Sequence, residues 1–228
     1  MIAVYTANIG DKTLYDHIQN YPVYNTDSDE VEYHYYYRPA LDRGELDEEW
    51  IQHEVEFKPD DGTGVTQLTG RWYKLHPFDL FDAEYVIWVD ANVKLLTDPV
   101  DIVDKYLLAT NADIATISHP DRDSVYKEAK QCIAWNKGDP DKIRLQVVRM
   151  HLTDYPMSEH WLACSFILVC RNVKRIRQMY SLWWDDITEY SIRDQISFPY
   201  VCWKLGIEPH WIPGNHYEGP DYKRTALH

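Results

Sequence analysis

Long apolar runs are missing from this 228-residue chain, and basic residues are few. No stretch approaches the roughly 20 apolar residues that span a bilayer, so no transmembrane segment is expected. The first residues, MIAVYTANIGDK, lack the basic start and apolar core of a signal peptide. The 23 lysines and arginines face 37 acidic residues, which gives a net charge of −14. This charge disfavours nucleic acid and anionic membranes as partners, and we expect a soluble, cytoplasmic protein.

Cysteine is also scarce. The four cysteines form no CxxC pair and are spaced too widely for a zinc site, so buried free thiols in a reducing compartment are expected. The sequence contains no G-x-S-x-G, H-E-x-x-H, P-loop or G-x-G-x-x-G motif, so the enzyme classes that these motifs mark find no support. Aromatic residues are abundant. Of the adjacent Trp183 and Trp184, we expect at least one in the core, and one can stack on a sugar.

Strand-like and helix-like segments alternate along the chain. The strand-like runs are IAVYT (2–6), VEYHYYY (31–37), YVIWV (85–89), DIATIS (113–118), CSFILVC (164–170) and EPHWI (208–212). Helices are predicted over 65–81 with a break near Pro77, and over 98–108, 123–135, 139–152, 172–190 and 191–206, whereas 40–64 reads as a loop region. The alternation predicts one α/β domain over 1–228, a sandwich with a mainly parallel central sheet and helices on both faces.

The most apolar strand stops on an acid. YVIWV is followed by Asp90, Ala91 and Asn92, and in parallel α/β sheets ligands bind beyond the carboxyl ends of the strands. Two oxygen-bearing side chains one residue apart can share a hard divalent cation, Mn²⁺ or Mg²⁺, with phosphate oxygens completing the shell. The alternative interpretation is a plain turn, because Asp and Asn favour turns.

Cationic side chains accompany this strand end on both sides in the sequence. Arg71 and Lys74 are three residues apart, so on a helix they share a face that can hold a diphosphate, or they are a solvated pair. His119 and Arg122 follow the next strand and can face the same cleft, where a guanidinium binds phosphate. The alternative for this second segment is a capped helix start with Asp123 as the N-cap.

A third cluster lies at a predicted helix start. Ser191 can cap a helix whose first turn holds Arg193, Asp194 and Gln195, and a carboxylate beside an amide can bind several sugar hydroxyls. Alternatively, Asp194 only offsets the helix dipole. In the tail PGNHYEGPDYK (213–223), His216 can be a third metal ligand, unless the tail is disordered.

Four blocks together resemble consecutive parts of one protein family. They are KLHPFDLFDAEYVIWVDANVKLLTDP (74–99), DIATISHPDRDSVYKEA (113–129), SFILVCRN (165–172) and WWDDITEYSIRDQISF (183–198). They resemble, in the same order, the glycosyltransferase-like family first catalogued as a domain of unknown function, whose members include plant proteins of turgor control and seed mucilage synthesis. The most specific parts are IWVDANVKL and S-x-RDQISF, and the blocks are clearest over 65–200.

The resemblance implies a GT-A fold that binds a nucleotide sugar, usually with a divalent metal. By position it implies that Asp90 binds the metal or diphosphate, that Lys74, His119 and Arg122 line the donor site, and that Asp194 and Gln195 orient the sugar or acceptor. Asn92 departs from a full D-x-D motif, which weakens the expected metal affinity. The tail NHYEGPDYK (215–223) is similar to the metal-binding histidine loop of glycogenin-like enzymes, and this favours retention of anomeric configuration.

The leading hypothesis is therefore metal-assisted transfer of a sugar from a nucleotide-sugar donor to a glycan or other hydroxyl acceptor. An inverting enzyme would use Asp194 as the base, whereas a retaining enzyme would use it to position the sugar. Two alternatives stay open. One is nucleotidyl transfer, although ANIGDK is a poor phosphate loop; the other is a non-catalytic carbohydrate- or nucleotide-sugar-binding protein on the same fold.

Overall fold

The computed structural model describes residues 1–9, 30–38, 50–55, 66–156 and 161–224. The strands in these ranges are β1 (Ile2–Asn8), β2 (Val31–Tyr37), β3 (Trp50–Glu54), β4 (Tyr85–Val89), β5 (Val93–Leu95), β6 (Ile114–Ser118), β7 (Ala163–Arg171), β8 (His210–Trp211), β9 (Glu218–Gly219) and β10 (Tyr222–Arg224). The helices are α1 (Thr66–Leu75), α2 (Pro77–Leu80), α3 (Pro99–Val103) with a π-helical continuation (Asp104–Leu108), α4 (Val125–Ala134), α5 (Pro140–Leu152), α6 (Lys174–Glu189) and α7 (Asp194–Leu205). The predicted α/β class is confirmed.

The central sheet has seven strands in the order β3-β2-β1-β4-β7-β6-β8. The pairs β2–β3, β1–β2, β1–β4 and β6–β8 are parallel, which confirms the mainly parallel sheet. Strand β7 runs antiparallel to both of its neighbours, β4 and β6. As a result, the first residues of β7 lie at the edge of the sheet where β4 and β6 end.

Strand β4 is covered on both faces, as its unbroken apolar run predicted. Val86 and Trp88 pack into the hydrophobic cluster on one face, with residues of α1 and α4–α7. Ile87 and Val89 pack on the other face, with α3, its π-helical continuation and the strands β5 and β10. Helices therefore lie on both faces of the sheet, and β4 is fixed tightly enough to hold the residue that follows it.

Several helix ends follow the predicted local chemistry. Helix α1 stops before Pro77, and Asp98 caps α3 by accepting a hydrogen bond from the Val100 N–H at 2.8 Å. Gly206 ends α7 in the left-handed conformation, with φ of 61°.

Trp183 is fully buried, so the expectation that at least one of the paired tryptophans belongs to the core is confirmed. All four cysteines are free and buried.

Three local predictions were wrong. The N-cap of α4 is Ser124, whose Oγ accepts from the Lys127 N–H at 3.3 Å, whereas Asp123 pairs with the Lys127 ammonium. Helix α7 begins at Asp194 with Arg193 in the cap position, so Ser191 lies outside it and accepts from the Arg193 N–H at 3.3 Å. The carboxylate of Asp123 thus binds a side chain instead of the helix start, and Ser191 binds a backbone N–H that lies before the helix.

The third wrong prediction is the loop region over residues 40–64. Trp50–Glu54 forms strand β3 inside this supposed loop region, because Trp50 is buried against the aromatic rings of Tyr33 and Tyr35. The acidic residues around it masked the strand in the sequence. The remaining parts, 40–49 and 56–64, lie outside the described residues.

Residues 213–224 of the tail are folded, so the disordered alternative was wrong for them. Strands β5, β10 and β9 form a second, antiparallel sheet of three strands. Asp221 anchors it by accepting hydrogen bonds from Thr97 at 2.6 Å, from Lys105 at 2.7 Å and from Tyr106. Within the described ranges, no helix has both the length and the apolar character needed to cross a bilayer.

Candidate functional site

A pocket of about 390 Å³ opens where β4 and β6 end and β7 begins. Most of the residues singled out from the sequence line it: Arg71, Lys74, Asp90, His119, Arg122, Arg193, Asp194, Gln195 and His216. Asn92 is not among the lining residues and is 4% exposed. The sequence interpretation missed other lining residues, namely Asp121, Glu128, Trp135, Lys137, Cys164, Ser165, Phe166, Tyr217 and Arg224.

Asp194 forms the floor of the pocket. Its carboxylate accepts hydrogen bonds from the Lys74 ammonium at 2.7 Å and the Ser165 hydroxyl at 3.1 Å, and it lies 3.2 Å from the Arg71 guanidinium. Arg71 and Lys74 thus share a face of α1, as predicted, but that face points at a carboxylate. Lys74 is 1% exposed and Asp194 4%, so this is a buried ion pair.

The charges around Asp194 decide its protonation state. Burial alone would raise the pKa of Asp194, but Arg71, Lys74 and Arg193 outweigh burial and hold the pKa well below its usual range. A carboxylate with so low a pKa and with its oxygens already accepting hydrogen bonds is a poor proton acceptor near neutral pH. The geometry therefore fits a positioning role for Asp194 better than the role of a general base.

Ser165 holds the ion pair in place from the antiparallel strand. It is 2% exposed, has φ of 53°, and accepts a hydrogen bond from the Lys74 ammonium at 3.2 Å. The register of β6 and β7 shifts between Thr116 and Ser118, opposite this point. A left-handed serine costs backbone energy, and such residues cluster at functional sites. No sequence signal marked Ser165, since the carboxyl-end rule looks only after parallel strands.

Asp90 and Asn92 belong to a turn, and both contact the same arginine. The Val93 N–H donates to the Asp90 carbonyl at 2.9 Å, and the Asp90 carboxylate accepts from the Trp88 indole at 3.0 Å. Arg224 donates through Nε to the Asn92 amide oxygen at 3.1 Å, and its guanidinium lies 3.6 Å from the Asp90 carboxylate. This arrangement does not fit a divalent cation shared by Asp90 and Asn92, because a guanidinium already lies against both.

His216, the third predicted metal ligand, lies apart from this pair in a different cluster. Ligand atoms of His119, Asp121 and His216 all lie within 4.8 Å of one another, and His216 is 3.3 Å from the Asp121 carboxylate. However, Nδ1 of His119 accepts from the backbone N–H groups of Asp121 and Arg122 at 3.2 and 3.1 Å. The other ring nitrogen, Nε2, lies 2.8 Å from a terminal nitrogen of Arg122, so backbone N–H groups and a guanidinium already lie against the two nitrogens of His119.

Glu128 organises the cations on the far wall of the pocket. It is 2% exposed and accepts a hydrogen bond from Arg122 Nε at 2.6 Å, while Arg193 lies 3.8 Å away. The second terminal nitrogen of Arg122 is 2.8 Å from Nε2 of His119. Arg122 is thus fixed by a buried acid and a histidine, and it lines the pocket as a positioned charge.

The buried histidine His119 predicts an acid-sensitive fold. Burial, Arg122 and His216 lower the pKa of His119 to about 4. In the unfolded chain the pKa is about 6.5, so the unfolded state binds more protons between these values. The part of the free energy of unfolding that depends on neutral His119 is fully present above pH 6.5 and is lost as the pH falls towards 4. In this range His119 lowers the free energy of unfolding by at most about 1.4 kcal/mol per pH unit.

Urea unfolding at several pH values measures this slope. We expect His119→Asn to flatten it, because the amide oxygen can still accept from the backbone but does not titrate. The lowered pKa values of His34, His53 and His216 preserve part of the slope. A substitution at exposed His151 serves as the control; an equal flattening there would contradict the assignment to His119.

Comparison with known proteins gives one matching family model and two similar plant proteins. Residues 66–218 match a family model described as TOD1/MUCI70, glycosyltransferase-like domain. Over 137 residues the chain is 28% identical to a probable hexosyltransferase, MUCI70 of Arabidopsis thaliana, covering 57% of this chain and 24% of that protein. Over 67 residues it is 33% identical to the alkaline ceramidase TOD1 of the same plant, covering 29% of this chain and 14% of that protein. The chain therefore spans only a minor part of each relative, whereas the family match includes almost all of the pocket.

Proposed function

Because this chain belongs to the TOD1/MUCI70 glycosyltransferase-like domain family, we propose that it transfers a sugar from a nucleotide-sugar donor to a hydroxyl group of a glycan or another hydroxyl acceptor. The resemblance seen in the four sequence blocks is confirmed by the family match, which covers residues 66–218. The donor, the acceptor and the stereochemical course are parts of this proposal and rest on the pocket.

The charge of the pocket is the observation that carries the proposal. The whole chain has a net charge of −14, yet the pocket is lined by six cationic and four anionic side chains. The cations are Arg71, Lys74, Arg122, Lys137, Arg193 and Arg224, and the anions are Asp90, Asp121, Glu128 and Asp194. A local excess of positive charge on an acidic protein suits a small anionic ligand such as a nucleoside diphosphate sugar.

The reaction needs charge stabilisation more than it needs a strong base. The bond from the anomeric carbon to the diphosphate breaks, a bond from that carbon to the acceptor oxygen forms, and negative charge grows on the departing diphosphate. Fixed guanidinium groups stabilise that charge. Asp194 is ionised and engaged, so we propose that the departing phosphate oxygen takes the acceptor proton, which is the course of a retaining transfer.

Asp194 and Gln195 then serve to orient the sugar. Gln195 lines the pocket, and its amide nitrogen donates to the Ala163 carbonyl at 3.2 Å. That hydrogen bond fixes the amide plane at the start of β7. An amide and a carboxylate held side by side at the start of α7 can each bind hydroxyl groups of one sugar ring.

A thermal-shift panel of nucleotide sugars tests the proposal. We expect one nucleoside diphosphate sugar to raise the melting temperature by several degrees, since a ligand at 100 times its Kd adds about 2.7 kcal/mol. The free sugar and the sugar phosphate are the matched controls and should shift it less. With the donor identified, release of the nucleoside diphosphate is measured against a set of oligosaccharide acceptors. Binding of the donor without turnover would favour a carbohydrate-binding protein, and release of pyrophosphate would favour nucleotidyl transfer.

A further inference from the structure

Resting on the proposed function, we propose that the donor diphosphate is bound by the guanidinium groups of Arg224 and Arg122, without a divalent cation. Asp90 and Asn92 then act as positioning residues that hold Arg224, instead of acting as metal ligands. Arg224 lies outside the residues that match the family, 66–218, so this assignment comes from the geometry of this chain alone.

The fold places Arg224 at the end of the D-x-N sequence. Strand β10 pairs antiparallel with β5, and its register sets Arg224 directly opposite Val93, the residue after Asn92. The guanidinium packs over the Phe166 ring at 4.8 Å and is held by the Asn92 oxygen at 3.1 Å. Arg224 is 13% exposed and lines the pocket, so it is a fixed charge that still reaches the ligand space.

Arg224 stands where a shared metal would have to be. A Mg²⁺ or Mn²⁺ ion needs oxygens free to approach at about 2.0–2.2 Å. The Asn92 oxygen is instead committed to Arg224, and the Asp90 carboxylate faces the same guanidinium at 3.6 Å. A divalent cation would also be repelled by this permanent positive charge. Asn92 in place of a second Asp suits this arrangement, because a neutral amide positions an arginine without cancelling its charge.

The second possible cation site is likewise filled by a guanidinium. Arg122 lies 2.8 Å from Nε2 of His119, and Nδ1 of the same ring accepts from the backbone N–H groups of Asp121 and Arg122. A guanidinium therefore lies against the ring nitrogen that a metal would have to approach, and it brings a permanent positive charge to the pocket. Arg122, Arg224 and Cys164 all line the same pocket.

The two arginines together supply what a metal would supply. Each guanidinium is planar, permanently charged and able to bind phosphate with two parallel hydrogen bonds. Lys74, expected from the sequence to line the donor site, is instead buried against Asp194. The diphosphate is therefore assigned to two guanidinium groups that line the pocket, Arg122 beside Glu128 and Arg224 beside Asp90.

Inorganic pyrophosphate in the presence of EDTA is the probe for this assignment. We expect the wild-type chain to bind it by calorimetry, and Arg224→Gln to weaken binding about tenfold or more, since a hydrogen bond to a charged group contributes on that scale. Lys223→Gln is the matched control, because Lys223 is exposed on the opposite face of the same strand and has the same charge. Arg224→Lys keeps the charge but loses the planar fork, so it should lie between the two.

A second measurement tests whether Arg224 occupies the place that a shared metal would need. We expect Mn²⁺, titrated alone, to bind more tightly to the double variant Asn92→Asp with Arg224→Gln than to the wild type, because two carboxylates are then free. Circular dichroism and the melting temperature confirm that each variant is folded. The proposal is overturned if the wild type binds pyrophosphate only with Mn²⁺, or if Arg224→Gln and Lys223→Gln weaken binding equally.

The outcomes separate this inference from the proposed function. If a nucleotide sugar binds and is turned over only with Mn²⁺, the proposed function stands and the arginine assignment fails. If pyrophosphate binds through Arg224 in EDTA but no nucleotide sugar binds, the arginine assignment stands and the proposed function fails.

Discussion

Replacing Asp194 with alanine is expected to lower the free energy of unfolding by about 3–5 kcal/mol, the usual result of removing one partner from a buried ion pair. Lys74 is 1% exposed, and its ammonium would lose its carboxylate partner. Burial already lowers the pKa of Lys74 against the opposing effect of Asp194, so the orphaned amine would be driven towards its neutral form. Urea unfolding at neutral pH measures the loss.

An exposed ion pair with the same distance between nitrogen and oxygen is the control. Lys127 lies 2.7 Å from Asp123, the same separation as Lys74 from Asp194, but its two side chains are 53% and 44% exposed. Asp123→Ala should therefore change the stability by no more than about 1 kcal/mol. Equal losses in the two variants would mean that the buried lysine is not charged in the folded chain.

A double variant separates the structural role of the pair from its functional role. Lys74→Met combined with Asp194→Leu replaces both charges with apolar groups, and such replacements are often neutral or stabilising. We expect most of the stability to return, but not the turnover of the donor sugar. Recovery of turnover with stability would show that Asp194 only supports the fold.

Replacing Gly219 with alanine is expected to weaken pyrophosphate binding more than about tenfold while leaving the main sheet folded. A Cβ at Gly219 would collide with the Tyr222 ring and lie 2.5 Å from the Pro213 carbonyl oxygen. Tyr222 cannot yield easily, because it is fully buried and donates a hydrogen bond to the Asn215 carbonyl at 2.6 Å. Strand β10 must shift, and Arg224 must move away from Asp90 with it.

The expected cost in stability is modest, about 1–3 kcal/mol, as for other overpacking substitutions. Gly70→Ala is the control, since a Cβ at that position on α1 meets nothing within 4 Å and alanine favours the helix. The two variants are compared by calorimetry with pyrophosphate and by urea unfolding. Unchanged binding in Gly219→Ala would show that β10 does not position the diphosphate site.

One wall of the pocket has a clear signal in the sequence, and the wall formed by β7 has none. The carboxyl-end rule led to Asp90 and His119, because β4 and β6 read clearly as strands. It could not lead to Ser165 and Phe166, which lie at the start of β7. The apolar composition of β7 does not tell whether the strand runs parallel or antiparallel to its neighbours. The direction depends on which neighbours it pairs with, and that is decided by tertiary packing.

The partner of the D-x-N sequence was hidden for a related reason. Asp90 and Asn92 carry the right atoms for a metal, and only the pairing of β10 with β5 shows that an arginine reaches them first. Sequence signals predicted helix ends correctly where the cause lies in neighbouring residues, as at the N-cap Asp98 and at the left-handed Gly206 that ends α7. At Ser124 and Ser191, competing side chains lay too close in sequence for a propensity to choose between them.

The contacts that build the pocket join distant parts of the chain, and this affects how the protein matures. Lys74 and Asp194 are 120 residues apart, and Asn92 and Arg224 are 132 apart. Contacts of such separation carry a large loop-closure cost and slow folding. A partly folded chain in which β10 has not paired with β5 lacks the contact of Arg224 with Asn92. A donor that binds as proposed would stabilise only molecules in which this pairing has formed, so its concentration would act on the yield of the folded protein as well as on the rate of the proposed reaction.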